Sequence, residues 1–439
     1  MVAGDNHNHT QGGSELKFRL TKEEKSWAFY DWANSAYSII ITTAVFPLFY
    51  KAAATNAGVS ATDSTAYLGY TISIFTFILA LLAPVLGTIA DYRGMKKKFF
   101  TAFFILGTGA TAALAFIPSD NWLMLLVVYT FAALGSTGAN VFYDSFLTDV
   151  STSERMNRVS AFGYGIGYIG STIPFILSIT IILLSQSGVL PLSVTNASRA
   201  AFLITAVWWL LFSVPMFRHV HQIHFIEPEP KPVVQAFKRL GNTFREIRKY
   251  RGLFLFLLAY FFYIDGVGTI ISMSTAYGSD LGIDTNSLLI VLFVTQVIAA
   301  PFAVIYGRLA DRYGTKQILY VGIAVYTFVC IYAYSMDSVA DFWVLAMLVG
   351  TSQGGIQALS RSYFGRLVPK ENSNEFFGFY NIFGKFASIM GPLLVGVTAQ
   401  MTGNTNAGVF SLVILFIIGG IILYFVPNPS RYEPVPETP

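Results

Sequence analysis

Five short stripes of polar residues lie inside otherwise apolar stretches, and any chemistry of this chain should be carried there. They are Asp31, Asn34, Ser38 and Thr42; Ser136, Asn140 and Asp144; Asp265, Thr269 and Ser272; Gln353, Gln357 and Arg361; and Asn381, Lys385 and Ser388. Each stripe follows three- or four-residue spacing, which puts its members on one face of a helix. Carboxylates, amides and two bases held in an apolar medium suit the binding of a polar solute or an ion and the exchange of a proton. Ionisable groups at such depth are costly and mark a pathway. Three carboxylates (Asp31, Asp144, Asp265) face two bases (Arg361, Lys385), so one Asp is free to titrate and a coupling proton has a place to bind. No Ser–His or Cys–His set lies in any apolar stretch, which argues against an enzyme.

The elements that carry these stripes are set by composition. Hydrophobic residues make up 54% of the 439 and charged ones 12%, about half the charged share of a soluble domain. Too little charge is available to cover a globule, so the chain is read as an all-α polytopic membrane protein. Twelve apolar stretches are long enough to cross a bilayer, at 27–50, 64–90, 99–117, 121–148, 158–186, 197–217, 251–275, 286–309, 317–336, 341–364, 375–400 and 407–427. Helices satisfy their own backbone in lipid, and no alternating strand pattern appears.

Basic residues set the orientation. Arg93, Lys96, Lys97, Lys98, Arg155, Arg158, Arg308, Arg312, Lys316, Arg366 and Lys370 all follow even-numbered spans, with Lys51 and Arg199 as exceptions on the other side. Both termini are therefore expected in the cytoplasm, and residues 1–26 form a polar tail without the features of a cleaved signal. The organisation follows: a six-helix bundle over 27–217, a cytoplasmic linker over 218–250, a second bundle over 251–427 and a tail over 428–439. The linker holds a Pro-rich run, Glu227 to Pro232. Val233, Phe237, Leu240, Phe244 and Ile247 then recur at helical spacing among Lys238, Arg239, Arg245, Arg248 and Lys249, a pattern expected to lie on an anionic leaflet.

The two halves repeat. Gly87, Asp91, Gly94 and Lys96 after span two fall at the same offsets as Gly307, Asp311, Gly314 and Lys316 after span eight, with Arg93 and Arg312 beside them. An offset of 217 residues, between those given by two local alignments, places Asp144 of span four opposite Arg361 of span ten. Several other signals stay bland. Gly165-Ile-Gly167-Tyr-Ile-Gly170 lies inside a span and reads as close helix packing; His219, His221 and His224 lack a carboxylate or Cys nearby in sequence, so no metal is expected. Cys330 is single, and Asn196-Ala-Ser198 is a sequon that matters only in a secretory route.

The doubled Gly-x-x-x-Asp-x-x-Gly-x-Lys loop resembles the signature of the major facilitator superfamily. Tyr30-Asp31-Trp32-Ala33-Asn34-Ser35-Ala36-Tyr37 with Ala44-Val45-Phe46-Pro47, Gln353-Gly-Gly-Ile-Gln357-Ala-Leu-Ser-Arg361-Ser and Phe376-Phe-Gly-Phe-Tyr380-Asn381 resemble its vacuole-effluxer-like branch. The resemblance implies two pseudo-symmetric six-helix bundles, a central cavity lined by spans one, four, seven and ten, and the loops as cytoplasmic latches. It implies a transporter of a small metabolite working by alternating access. Amino-acid efflux is the favoured solute class; a sugar, nucleoside or lipid-like solute, or a non-transporting sensor, are the alternatives. The expected cavity residues are Asp31, Asn34, Asn140, Asp265, Gln353, Gln357, Asn381 and Lys385, with Asp144 and Arg361 as a gate. Asp265 and Lys385 are expected to pair or to share substrate near the midplane. No cofactor and no nucleic acid is expected, and the chain should act as a monomer in the plasma membrane, or the vacuolar membrane if fungal.

Overall fold

The structure is a computed structural model that describes residues 19–227, 232–245, 250–280 and 285–428. Among the described residues twelve helices are long and apolar enough to cross a membrane: Lys22–Asn56, Tyr67–Ala90, Met95–Phe116, Trp122–Val150, Met156–Gln186, Val194–His219, Arg251–Ser274, Ile290–Tyr313, Thr315–Tyr334, Val339–Leu367, Lys370–Thr402 and Thr405–Phe425. They are called spans one to twelve below.

Local chemistry starts and stops them. Span one begins at Lys22, one turn before its apolar run, because Thr21 and Glu24 form a reciprocal capping box. Ser60, Asn121, Ser193 and Ser338 cap the helices that carry spans two, four, six and ten from the end opposite the basic loops. Span one widens to a π-helical stretch over Tyr37–Ala44, in which Val45 N–H reaches back to Ile40 O. Such widening is frequent at functional sites. Here it follows the Asp31/Asn34 stripe directly and leaves Ser38, Thr42 and Thr43 exposed.

Among the described residues two large apolar cores, one per half, include Trp27, Phe46, Tyr129 and Trp209 and Phe256, Tyr263, Tyr326 and Phe416, and a small third cluster joins Leu79, Ala83 and Val141. Many large apolar side chains point outward, among them Leu48, Phe77, Ile176, Leu211, Ile331 and Ile421, as lipid-facing surfaces require. Span five packs on spans eight and ten, and span two on span eleven, so the halves meet along two seams.

Hydrogen bonds that join the bundles gather toward the end with the basic loops. They run from Tyr168 and Gln357, Ser160 and Arg361, through Asn157 and Asp311, to Asp91 and Asn374. The molecule is closed at this end.

The described parts of the linker are tied to the protein. Ile226 pairs with the loop after span two, with Arg93 N–H donating to Ile226 O and Ile226 N–H to Asp91 O. A helix follows over Pro232–Arg245. The expected positions Pro228, Glu229, Pro230, Ile247, Arg248 and Lys249 lie outside the described residues.

Candidate functional site

Arg361 organises the closed end. It is only 2% exposed, and its guanidinium donates to Asp144 Oδ1 (3.2 Å), Asp31 Oδ2 (3.0 Å), Ser160 Oγ (2.9 Å) and Ser160 O (3.2 Å). One side chain of span ten thus holds spans one, four and five. Trp27, Tyr143 and Tyr164 surround the guanidinium with ring centroids 4.6, 5.6 and 4.4 Å away. Arg suits this position because its planar fork can serve two carboxylates while its faces stack on aromatics. Gly163 is required by the close approach: a Cβ there would stand 2.6 Å from Asp31 Oδ2.

Two carboxylates on one guanidinium leave one negative charge unmatched. The Asp31 and Asp144 side chains are only 14% and 13% exposed. Asn381 Nδ2 adds a 3.4 Å contact to Asp144 Oδ2 from span eleven. Outward of this cluster, Asn34 Nδ2 donates to Asn140 Oδ1 (2.8 Å) and Ser136 Oγ to Asn34 Oδ1. Gln357 Nε2 donates to Gln353 O (3.0 Å) and contacts the Tyr168 hydroxyl, while Gln353 Nε2 is buried without a partner among the described residues.

Asp265 stands apart from this group. It is fully buried between spans seven and eleven of one bundle, accepting Gly391 N–H (2.9 Å) and a long contact from Thr269 Oγ1. The Lys385 side chain, its expected partner, lies outside the described residues. Pro392 follows Gly391 within the same helix, and the Gly391 N–H meets the carboxylate.

The two latch loops bind across the bundles, each in its own way. Gly94 and Gly314 take φ of +73° and +95°, opening spans three and nine. Gly87 and Gly307 sit where the bundles touch: a Cβ would meet Asn374 O at 2.5 Å and Ala161 Cβ at 2.5 Å. Asp91 receives Asn374 N–H (2.9 Å), Asn374 Nδ2 (2.8 Å) and Glu375 N–H (3.3 Å), which places it on the N-terminus of the span-eleven helix. Asp311 receives Asn157 Nδ2 (3.1 Å) and Arg158 Nε at the start of span five. Ser145 Oγ donates to Asn374 and Ser362 Oγ to Asn157 (2.9 Å), so each seam carries a Ser–Asn–Asp chain. The offset of 217 residues that relates Asp144 to Arg361 also relates Ser145 to Ser362 and Asn157 to Asn374.

The loop bases distribute differently from their sequence register. Arg93 stays exposed, pairing with Glu227 (3.3 Å) over Phe225, and Arg312 lies over Tyr313. Neither contacts the neighbouring latch Asp, because those carboxylates point inward to the other bundle. Lys96 is fully buried against Asp149 (2.7 Å) and Ser373 (3.0 Å), whereas Lys316, its counterpart by register, donates to Tyr424 O and Val426 O (both 2.7 Å). In contacts Lys316 matches Lys97, which donates to Phe217 O and Val220 O at the end of span six. His224 also reaches Asp149 (3.2 Å), while His219 meets Ser26.

Burial pushes the Asp91 carboxyl from its ordinary 3.8 up to about 7, against the pull of Lys96, Asn374 and Arg239. The closed state thus binds this proton more tightly than a state with Asp91 in water. Between about pH 4 and about pH 7 closure takes up a proton, so closure should weaken as pH rises through that window and change no further above it. Amide exchange across Asn374 to Tyr380, corrected for intrinsic rates, should report more frequent opening at about pH 8 than at about pH 5, and Asp91→Asn should flatten the difference. An Asp91→Asn profile identical to that of the parent would remove Asp91 from the closure.

The fold is that of the major facilitator transporters. A xylose:proton symporter structure, XylE with a bound bromodeoxyglucose, superimposes with a TM-score of 0.70 over 93% of this chain and 96% of its own, at 12% identity. A bacterial homologue of the iron transporter ferroportin, in an outward-facing state, gives 0.66 over 93% and 99%, at 14% identity. Within that class the chain belongs to the vacuole effluxer Atg22-like family, whose model matches residues 20–431. An uncharacterised MFS-type transporter of Bacillus subtilis (strain 168), YxiO, is 68% identical over 94% of this chain and 97% of its own length. Autophagy-related protein 22 of Eremothecium gossypii is 22% identical over 92% and 90%.

Proposed function

We propose that this transporter exports a small zwitterionic metabolite, an amino acid first among them, by alternating access in exchange for a proton. The observation that carries the reading is the Arg361 cluster, where two carboxylates from one bundle share one guanidinium from the other. An α-ammonium group or a proton can each supply the one positive charge the cluster lacks, and because they compete for it, loading one displaces the other. Asn34, Asn140, Gln353, Gln357 and Asn381 offer hydrogen bonds to the rest of the solute, Gln353 with an amide nitrogen that has no partner among the described residues. Asp144–Arg361 acts as the gate: the pair joins the bundles when the basic-loop end is closed and parts when that end opens.

In this reading the basic-loop end is cytoplasmic, with both termini on that side, and the described state is open away from the cytoplasm. The bacterial origin of the relative at 68% identity favours the plasma membrane. The linker helix rests on the anionic leaflet, and the chain works as a monomer.

Counterflow in proteoliposomes tests the solute class. Vesicles preloaded with unlabelled amino acids should accumulate labelled amino acid, and an opposed proton gradient should drive net movement. Exchange of sugars or nucleosides in place of amino acids would overturn the reading.

A further inference from the structure

The helix over Pro232–Arg245 has two faces with different occupants. The inner face touches both bundles. Arg239 donates to Thr88 O (3.3 Å) and Asn372 Oδ1 (3.2 Å) and lies 3.5 and 3.6 Å from the carboxylates of Asp91 and Glu375. Its guanidinium is stacked on the Tyr92 ring at 5.6 Å. Thr88 and Asp91 belong to the first half; Asn372 and Glu375 belong to the second. Leu240 packs on the core of the second half, and Thr243 Oγ1 donates to Glu375 Oε1 (2.6 Å). The seam beneath is buried, with Thr88 and Asp91 at 0% and Glu375 at 1% exposure. Arg239 is therefore a bracket laid across the closed seam.

The outer face is left bare by the protein. Val234, Phe237, Lys238, Gly241 and Arg245 fall on one side at helical spacing. All five are exposed, Val234 at 62% and Phe237 at 57%. The helix carries no Asp or Glu, and its contacts with Thr88, Asp91 and Asn372 hold it at the level where spans two and eleven end. Apolar side chains flanked by bases, at that depth, match an anionic lipid surface in both polarity and charge.

We propose that this helix is a strap docked on anionic lipid, and that leaflet charge thereby holds the basic-loop end of the transporter closed. The coupling follows from how the strap is tied. Ile226, six residues before the helix in the chain, is fastened to the first half through the Asp91 and Arg93 backbone, and Thr243 fastens the helix itself to the second half. When the halves part at this end, Arg239 can follow only one of them, and the strap must tilt or stretch out of the leaflet plane. Anionic headgroups thus bind the closed state better than the open one, and that difference is what shifts the equilibrium. Lipid and bracket use opposite faces, so they act together. The inference holds for any substrate.

Spin labels on Leu192→Cys and Asn404→Cys, in a Cys330→Ala background, report the width of the opposite mouth. These exposed positions lie in the loops between spans five and six and between spans eleven and twelve. Vesicles containing phosphatidylglycerol should raise the ratio of wide to narrow distances about fivefold over phosphatidylcholine alone, the effect of roughly one basic group at an anionic surface. Lys238→Gln with Arg245→Gln should cancel that rise, and Arg239→Gln should increase the narrow population in both lipids. A label at Phe237→Cys should be relaxed by lipid-soluble oxygen. Equal ratios in the two lipids would overturn the proposal, as would a label at 237 relaxed only by an aqueous nickel complex.

Discussion

Replacing Arg361 by Lys should lower transport by two orders of magnitude while the protein still folds. Lysine keeps the charge but cannot serve Asp31, Asp144 and Ser160 at once or stack between Trp27 and Tyr164. Two charge-assisted hydrogen bonds, each worth about 1.5–3 kcal/mol, are at stake, and losing one or two of them costs on the order of a hundredfold. Arg361→Gln should cost more, since it leaves two carboxylates facing each other across a site where water reaches little of either. Asp31→Asn and Asp144→Asn should be better tolerated for stability than Arg361→Gln, because each still leaves one carboxylate matched to the guanidinium. Counterflow rates at equal amounts of reconstituted protein decide it. A Lys variant at the parent rate would show that the fork geometry is not used.

Lys96→Met should be the most destabilising single change at the closed end. Its ammonium and the Asp149 carboxylate are both 0% exposed and 2.7 Å apart. Breaking a buried pair by removing one partner costs about 3–5 kcal/mol, whereas replacing both with apolar groups of similar size is often neutral. Asp149 would keep its bonds from the Ile223 and His224 backbone, which sets the loss toward the lower end of that range. Thermal unfolding in detergent should rank Lys96→Met below the double variant Lys96→Met/Asp149→Leu. The opposite order would mean the pair is not the dominant interaction there.

The spans were legible because an apolar run of that length has few other folds open to it. The contact between Asp144 and Arg361 was legible too, since a repeat offset of 217 residues puts the two at matching depth on spans four and ten. Asp31 was visible as a polar residue in span one, but nothing in sequence ties it to span ten; that needs the three-dimensional seam. Ser160 and Gly163 carry no distinguishing signal, one being a small hydroxyl among many and the other one glycine in a glycine-rich helix. The aromatic box was equally hidden, because Trp27, Tyr143 and Tyr164 are three among many rings in an aromatic-rich chain. Asn157 and Asn374 had a readable signal in the same offset, with an amide at the start of spans five and eleven in each half. Asp265 reads as a cavity group because a lone carboxylate in an apolar helix needs a polar partner, and the Gly391 backbone N–H one helix away supplies one inside the same bundle. Registers of the loop bases were misleading because Lys96 and Lys97 are adjacent, and only geometry separates the buried ion pair from the helix-end cap.

Charge exchange between Asp144 and Arg361 tests the gate most directly. Asp144→Arg and Arg361→Asp should each abolish counterflow, since each places like charges together at 13% exposure or less. The double exchange keeps the total charge and returns one guanidinium to lie between two carboxylates, because Asp31 remains. Counterflow in the double variant should recover to a clear fraction of the parent rate. No recovery in a double variant that folds and inserts normally would contradict direct pairing across the gate, and so would parent-like transport by either single variant.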